Sequence, residues 1–218
     1  MASQRFVCLS DTHNHHRSLT VPDGDVLVHA GDFTMNGTRG EVEEFADWLE
    51  ALPHPRKVLV AGNHDRLFQE RPDEARALVH FADYLEDGPL EFDGLRLWGS
   101  PWQPEFGGWA FGRPAGAAMA DVWDAVEGRV DVLVTHVPPR GSMDRIHNGV
   151  DIGCAALTAA LPRIAPKLHV FGHVHESRGT RTSDGRLSVN AATCDHRYRR
   201  AHEPIVVECT DDRFAVVE

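Results

Sequence analysis

Short apolar runs rich in β-branched residues recur along the chain and predict buried strands. They lie at residues 6–9, 26–29, 58–61, 95–98, 132–135 and 168–171. Between them, apolar residues recur at helical spacing, in the series Val42, Phe45, Leu49, Leu52, then Met119, Val122, Trp123, Val126, then Cys154, Leu157, Leu161, Ile164. Alternation of strands with amphipathic helices predicts an α/β fold.

The pattern changes near the C-terminus, where strand-like runs follow one another without a helix. These runs lie at 180–182, 187–190, 205–208 and 214–217, with an Asp184-Gly185 turn between the first two. Consecutive strands joined by short turns pair antiparallel, so we expect mixed sheets. No repeat, low-complexity segment or linker is visible, and the length suits one core. We therefore predict a single domain over residues 1–218.

Composition narrows the possible partners. The net charge of −11 disfavours a nonspecific nucleic-acid binder, without excluding a nuclease. No stretch approaches the roughly 20 apolar residues of a membrane-spanning helix, so we expect no membrane partner. Four scattered cysteines and the absence of a leader sequence favour the cytoplasm.

Polar side chains follow five of the predicted strands at the point where each strand ends. They are Asp11 and His13, Asp32, Asn63 to Asp65, His136, and His173 with His175. Any one of them is explained by a turn or a cap. Turns and caps do not explain why so many of them occur together, because unpaired polar groups in a core are costly. In α/β sheets, ligands bind at the carboxyl ends of strands, where these residues lie.

These ordered motifs resemble those of the calcineurin-like metallophosphoesterase superfamily. The motifs are Asp11-x-His13, Gly31-Asp32, Gly62-Asn63-His64-Asp65, His136 and Gly172-His173-x-His175. Further stretches, among them Gly99-Ser100-Pro101-Trp102 and Asn190-Ala191-Ala192-Thr193-Cys194, resemble the metallophosphoesterase-domain-containing branch, whose members are phosphodiesterases. The resemblance implies a four-layer sandwich of two mixed β-sheets flanked by α-helices.

The resemblance also implies two divalent metal ions. One would be held by Asp11, His13, Asp32 and His175, and the other by Asp32, Asn63, His136 and His173. Carboxylate, amide and imidazole donors without thiolate suit manganese, iron, zinc or nickel, and we favour manganese. A hydroxide bridging the two ions would attack the phosphorus of the substrate.

His64 resembles the family histidine that contacts the phosphate and stabilises or protonates the leaving oxygen. Asn63 and His64 are thus the predicted substrate-binding pair, and we expect Asp65 to orient the imidazole of His64. The segment 33–37 departs from the acidic or aromatic continuation of many family members, which puts its substrate contacts in doubt.

The remaining histidines are weaker candidates. His29 and His169 lie inside strand patterns, where they either orient neighbouring ligands or are structural. We expect the others to be solvated, namely His15, His16, His54, His80, His147, His196 and His202.

Two further segments leave alternatives open. The aromatic and glycine-rich loop 99–116 contains Trp102 and Trp109, which either form a wall for a nucleobase or close a core. The basic run 196–200 either supplies positive charge to the site or is a solvated loop.

The function that we predict is hydrolysis of small or cyclic nucleotide-like phosphodiesters. Phosphomonoesterase or nuclease activity on the same metal centre is a rival, because specificity resides in loops. A non-catalytic scaffold that has lost its metals is a rival of another class. A thiol-dependent or hydrolase-type nucleophilic enzyme has no supporting serine or cysteine motif, and Gly-x-Ser-x-Gly is absent. The oligomeric state stays open.

Overall fold

A computed structural model describes residues 3–217, so the outermost residues of the predicted domain lie outside the described residues. The strands are β1 (Gln4–Leu9), β2 (Val26–Ala30), β3 (Arg56–Val60), β4 (Asp83–Tyr84), β5 (Gly88–Phe92), β6 (Leu95–Ser100), β7 (Gln103–Pro104), β8 (Gly112–Arg113), β9 (Val132–Thr135), β10 (Leu168–Phe171), β11 (Gly179–Ser183), β12 (Arg186–Asn190), β13 (Ile205–Thr210) and β14 (Arg213–Val217). The helices are α1 (Arg39–Glu50), α2 (Arg66–Glu70), α3 (Pro72–Leu78), α4 (Ala117–Asp124) and α5 (Ala155–Ile164).

Two six-stranded mixed sheets form the centre of the molecule. The first sheet has the order β14-β13-β1-β2-β3-β4, in which β1 to β4 are parallel and β13 is antiparallel to both of its neighbours. The second has the order β11-β12-β10-β9-β6-β5, with a parallel centre and an antiparallel strand at each edge. The prediction of mixed sheets is confirmed.

Alternating residues of each central strand face different layers. In β1, Phe6 and Cys8 belong to the core between the two sheets, whereas Val7 and Leu9 pack with the residues of α1. In β9, Leu133 packs against α4 and α5 on the far side of the second sheet. Strands buried on both faces read as continuous apolar runs, which is why the sequence reveals them. The layers are thus helix, sheet, sheet and helix, as predicted.

The predicted helices are found, with shifted ends. α1 begins with a capping box in which Thr38 and Glu41 exchange hydrogen bonds, and it ends at Glu50, before the predicted Leu52. Val126 likewise lies beyond α4, and Cys154 caps α5 from outside. The elements that sequence analysis missed are α2, α3, β4, β5, β7 and β8.

The two C-terminal hairpins pair antiparallel as predicted, but they belong to different sheets. β11 and β12 extend the second sheet, while β13 and β14 extend the first. Within residues 3–217, no helix has the length and apolar character needed to cross a bilayer.

Candidate metal centre

The loops that follow β1, β2, β3, β9 and β10 bring the predicted ligands together where the two sheets meet. The Nε2 atom of His175 lies 3.2 Å from an oxygen of Asp11. On the other side, Nε2 of His136 lies 3.3 Å from Asp32 and 3.0 Å from the amide oxygen of Asn63. Donor atoms from both sheets therefore converge on one small volume.

Three groups of side chains in the described part of the chain have the geometry to hold a metal ion. Their ligand atoms lie within 4.8 Å of one another, in the sets Asp11, His13, His175, then Asp32, His136, His173, then His13, Asp32, His64. The first two sets share no residue. The third combines members of both with His64, so it bridges the other two.

Backbone carbonyls orient three of the imidazoles. The Nδ1 atoms of His13, His136 and His175 lie 3.3, 2.9 and 2.8 Å from the carbonyl oxygens of Thr34, Ala30 and Asp195. A carbonyl oxygen only accepts, so each Nδ1 carries a proton and each Nε2 atom points toward the carboxylates, where its lone pair is available to a metal ion once Nε2 is deprotonated. This arrangement is typical of metal-binding histidines.

Two buried carboxylates dominate the electrostatics of the centre. Asp11 and Asp32 are at most 2% exposed, and within residues 3–217 their ion-pair partners are histidines alone. Burial lowers the pKa of His136 and His175, but Asp32 and Asp11 more than offset this and raise each pKa to about 9. The carboxylates thus attract positive charge, and a set of oxygen and nitrogen donors without thiolate fits divalent transition metals.

Several ligand residues have left-handed backbone conformations. The φ angles of Asp11, His13, Asp32 and His173 are 54°, 39°, 56° and 67°. Such φ values are uncommon outside glycine, each costs on the order of 1 kcal/mol, and they concentrate at functional sites.

The family model for calcineurin-like phosphoesterases matches residues 4–177, which include all of these ligand candidates. The chain belongs to this family. Metallophosphoesterase domain-containing protein 1 of Homo sapiens is 37% identical over 234 residues, covering 96% of this chain and 72% of that protein. UPF0046 protein C25E10.12 of Caenorhabditis elegans is 38% identical over 227 residues, covering 94% and 80%.

Solved structures agree on the fold. The crystal structure of a dimetal phosphatase from Danio rerio aligns with a TM-score of 0.58 at 15% identity, covering 98% of this chain and 95% of that chain. A Thermus thermophilus protein, TT1561, aligns with a TM-score of 0.64 at 12% identity and covers 99% of both chains. Calcineurin-like phosphoesterases hold a binuclear divalent metal site, and this phosphoesterase has candidate ligand groups for one.

Glycines let the backbone of the phosphoesterase approach the carboxylates closely. A Cβ atom on Gly172 would lie 2.0 Å from Oδ2 of Asp11, and one on Gly62 would lie 2.2 Å from Oδ1 of Asp32. Both distances are well inside van der Waals contact. Neither position therefore tolerates a side chain without displacing a ligand candidate.

Asp65 does not orient His64, and that expectation is wrong. Its carboxylate instead accepts hydrogen bonds from the backbone N–H groups of Asp32, Thr34 and Gly62 and from the Thr34 hydroxyl, at 2.7 to 3.0 Å. Asp65 thus joins the loop after β2 to the loop after β3 and fixes the backbone of Asp32.

His64 is held by the segment whose role the sequence left in doubt. Its Nδ1 atom lies 2.6 Å from the carbonyl oxygen of Met35, and its ring lies 4.3 Å from the Trp109 ring and 4.7 Å from the His13 ring. Segment 33–37 thus contributes carbonyls that orient His13 and His64, while Phe33 is buried in the core.

Polar residues behind the ligands support them. The Nε2 atoms of His29 and His169 lie 3.1 and 2.9 Å from the hydroxyls of Thr12 and Thr135, which adjoin ligand candidates in the chain. The Thr193 hydroxyl donates to the Ser10 carbonyl at 3.0 Å, next to Asp11. For His29 and His169, support of neighbouring ligands is one of the two roles that the sequence left open.

A cleft of about 230 Å³ opens over the centre. It is lined by Asp32, Asn63, His64, Phe106, Trp109, Ile146, His147, Ile152, His173, His175, Glu176, His196 and Tyr198. Trp109 therefore faces the site, but Trp102 does not line the cleft. The Trp102 indole donates to Asp87 at 2.6 Å and packs on Phe111.

Tyr198 lies in the basic run 196–200 and was not predicted from the sequence as a site residue. Its ring lies 4.8 Å from His13 and 5.5 Å from His175. Arg199 and Arg200 of the same run are paired with Asp195 and Glu203, and neither lines the cleft. The run thus brings Tyr198 and His196 to the cleft, while its three arginines do not line it.

The expectation that seven other histidines are solvated is wrong for two of them. His16 and His54 are buried, at 1% and 3% exposed. His16 packs against Phe45 and Trp48, and the His54 ring lies 2.9 Å from the Pro22 carbonyl oxygen. Both are structural.

Proposed function

We propose that this phosphoesterase is a binuclear metallophosphodiesterase that hydrolyses small or cyclic nucleotide-like phosphodiesters. One observation carries the proposal. Two buried carboxylates, an amide and carbonyl-oriented imidazoles surround a single small volume at the floor of an open cleft. Such a concentration of donors would be unfavourable without bound cations.

The ligand allocation that we propose follows the two separate groups. Asp11, His13 and His175 would hold one ion, and His136, His173 and Asn63 would hold the other. The Asp32 carboxylate lies 3.9 Å from Nε2 of His13 and 3.3 Å from Nε2 of His136, so it would contribute to both positions. Manganese is our proposal for both positions.

Two divalent ions bound there would supply Lewis acidity for the phosphate oxygens and lower the pKa of a coordinated water. The chain supplies the rest. Its carbonyls fix the imidazoles, and its buried walls exclude bulk water from one side of the phosphate. With cations held beside Asp11 and Asp32, the cleft would attract an anionic diester despite the acidic protein.

His64 is the proposed acid. The Met35 carbonyl accepts from its Nδ1–H, which leaves Nε2 as the atom that faces the substrate and exchanges a proton with the leaving oxygen. Trp109 packs along the same ring and holds its plane. Because His64 is also a member of one candidate metal group, the test must separate acid catalysis from metal binding.

The test removes metals with a chelator, restores manganese, and measures hydrolysis of a bis-aryl diester, an aryl monoester and cyclic nucleotides. We expect two manganese ions per chain and faster diester than monoester turnover. His64→Ala should retain both ions and lose about 10² to 10⁴ in kcat. Asp32→Ala should lose the ions themselves.

Each alternative has its own outcome. Faster monoester turnover would assign the site to a phosphomonoesterase. Loss of an ion in His64→Ala would make His64 a ligand. Failure of the unmutated protein to bind manganese, zinc or iron would contradict the proposal and leave the non-catalytic scaffold.

A reducing, cytoplasmic location is also a proposal. All four cysteines, Cys8, Cys154, Cys194 and Cys209, are free and buried. Burial raises the pKa of Cys8 and Cys194 to about 12, so their thiols are unreactive. Fractionation of the native cell, followed by titration of four thiols in the denatured protein, tests the location.

A further inference from the structure

An apolar groove of about 470 Å³ adjoins the cleft over the metal centre. Its walls include Val137, Phe106, Ile146 and Ile152, and the last three also line the cleft. His173, a ligand candidate, lines both spaces as well. A molecule whose phosphate sits at the metal centre can therefore extend into the groove without leaving the protein surface.

One wall of the groove is a short loop, residues 144–152, that is folded on itself. Ile152 donates to the Asp144 carbonyl at 3.0 Å, and Ile146 donates to the Val150 carbonyl at 3.0 Å. The Arg145 guanidinium makes a two-bond ion pair with Asp151 across the loop, at 2.7 and 3.0 Å. The two isoleucines are thus held in place before any ligand arrives.

The same loop is fastened to the segment that carries His175. The Ser177 hydroxyl accepts from the backbone N–H of Arg145 at 3.1 Å and donates to its carbonyl at 2.8 Å. The Glu176 carboxylate accepts from the backbone N–H of His147 at 3.1 Å. These hydrogen bonds therefore fix the position of Ile146 relative to His175, a metal-ligand candidate.

The opposite wall comes from the aromatic and glycine-rich loop 99–116. Phe106 is 46% exposed although its ring lies 5.6 Å from the His173 ring. The loop is braced by the β7–β8 pair, where Gln103 donates to the Phe111 carbonyl at 3.0 Å. A large aromatic ring left half in water beside a ligand candidate offers a stacking surface.

We propose that this groove is a specificity subsite for a neutral aryl substituent of the phosphoester. Phe106, Ile146 and Ile152 are its specificity-determining residues. Apolar walls favour a hydrophobic substituent, and the Phe106 ring favours a flat one. Glu105 also lines the groove and is exposed, so a second anionic group would be repelled. The inference rests on the proposed function, because the phosphate must be anchored at the metal centre.

Binding to the manganese-loaded protein tests the subsite directly. The protein is titrated in a calorimeter with phenylphosphonate, methylphosphonate and inorganic phosphate. All three ligands offer the same kind of anionic oxygens to the metal centre and differ in the substituent on phosphorus. We expect phenylphosphonate to bind at least about tenfold more tightly than methylphosphonate, which is the scale of discrimination in hydrophobic pockets. The Ile146→Ala/Ile152→Ala double variant should reduce this ratio to about threefold or less.

Val150→Ala is the matched control. Val150 lies on the same loop, is 51% exposed and lines neither space, and its backbone carbonyl is untouched by the substitution. Its phenyl-to-methyl ratio should equal that of the unmutated protein. A thermal melt of each variant checks that the loop has not unfolded.

Kinetics give a second measurement. Two diesters with the same 4-nitrophenyl leaving group and either a phenyl or a methyl second group are compared in all variants. In the unmutated protein we expect the phenyl diester to have a lower KM than the methyl diester. In the isoleucine double variant the two KM values should become similar, and the kcat for the methyl diester should change less than the KM for the phenyl diester.

The outcomes separate the two proposals. Equal binding of phenylphosphonate and methylphosphonate by the unmutated protein would overturn the subsite and leave the metal centre intact. An unchanged ratio in the double variant would overturn the assignment to these isoleucines. If inorganic phosphate does not bind to the metal-treated protein, the proposed function fails and the subsite fails with it.

Discussion

At the scale of single residues, the site depends on side chains that do not line the cleft. Asp65 is the main example, because its two oxygens accept four hydrogen bonds from the loops that carry Asp32 and Asn63. These bonds are buried, so a donor that loses its partner stays unsatisfied. The left-handed backbone of Asp32 depends on this support.

We predict that Asp65→Asn destabilises the protein by about 1–3 kcal/mol, because the amide NH₂ faces N–H donors that it cannot accept from. Urea denaturation of the metal-free protein measures the change. Burial and the charge of Asp32 raise the pKa of Asp65 to about 7, so the measurement is made at pH 8.5, where the carboxylate is ionised.

Asp121→Asn, at an exposed position of α4, is the matched control and should change stability by less than about 0.5 kcal/mol. Equal stabilities of the two variants would show that the Asp65 hydrogen bonds do not hold the loops.

Residue types were predictable at this scale, but their partners were not. The order of Asp, His and Asn after the strands identified the ligand candidates, and the structure brings all of them together. The carbonyls of Thr34, Met35 and Asp195 that orient the rings left no signal, because any residue type offers a carbonyl. Asp65 was placed beside His64 because it is its neighbour in sequence, whereas its partners lie in another loop.

At the scale of elements, the loops that follow β3 and β10 pass very close to the carboxylates of Asp32 and Asp11. Gly172 ends up against Asp11 because β10 delivers its loop directly across the end of β1. The backbone itself fills the space that a side chain would need. A glycine there is a packing requirement of the metal centre.

We predict that Gly172→Ala weakens binding of the ion at Asp11 by at least about 10- to 100-fold, the scale seen when the surroundings of ligands are disturbed. Its Cβ atom would lie 2.0 Å from the carboxylate and must displace it. Calorimetric titration with manganese measures the affinity and the stoichiometry.

Gly40→Ala is the control, since nothing lies within 4 Å of the added Cβ on α1. It should leave manganese affinity unchanged and stabilise the protein by about 0.5–1 kcal/mol, because alanine is the better helix former. Manganese affinity that is equal in both variants would contradict the packing argument.

Long helices and strands were predictable from the spacing of their apolar residues, and short ones were not. β1 and β9 are buried on both faces, which makes their apolar runs conspicuous. α2 has 5 residues and β4 has 2, too few to display a period. β7 and β8 depend on pairing within loop 99–116, which no local pattern reveals.

At the scale of the whole molecule, the metal centre joins the two sheets. Asp11, His13 and Asp32 follow strands of the first sheet, while His136, His173 and His175 follow strands of the second. Bound ions would therefore connect two layers that are otherwise held by their shared apolar core. Binding to the folded state alone stabilises that state.

We predict that manganese at about 100 times its dissociation constant stabilises the protein by about 2.7 kcal/mol for each of the two bound ions, which together raise the melting temperature by roughly 10–20 °C. Scanning calorimetry with and without chelator measures the shift. Asp32→Ala should show little shift, because both proposed sites lose a ligand. A melting temperature that manganese leaves within about 1 °C in the unmutated protein would contradict binding of manganese at this centre.

The fold class, the places of the main strands and helices, and the set of metal-ligand candidates were all predictable from the sequence. They were predictable because burial on both faces of a strand, helical periodicity and the chemistry of ligands are local properties of the chain. The family resemblance rests on the same local motifs, since their order along the chain follows the order of the strands.

Tertiary structure alone decided how distant segments meet. Contacts between residues far apart in sequence decide which hairpin joins which sheet and which carbonyl orients which imidazole. They also place Tyr198, Phe106 and the two isoleucines around the cleft. Such contacts are set by the packing of both sheets on one core, and packing is a property of the folded chain rather than of any segment in it.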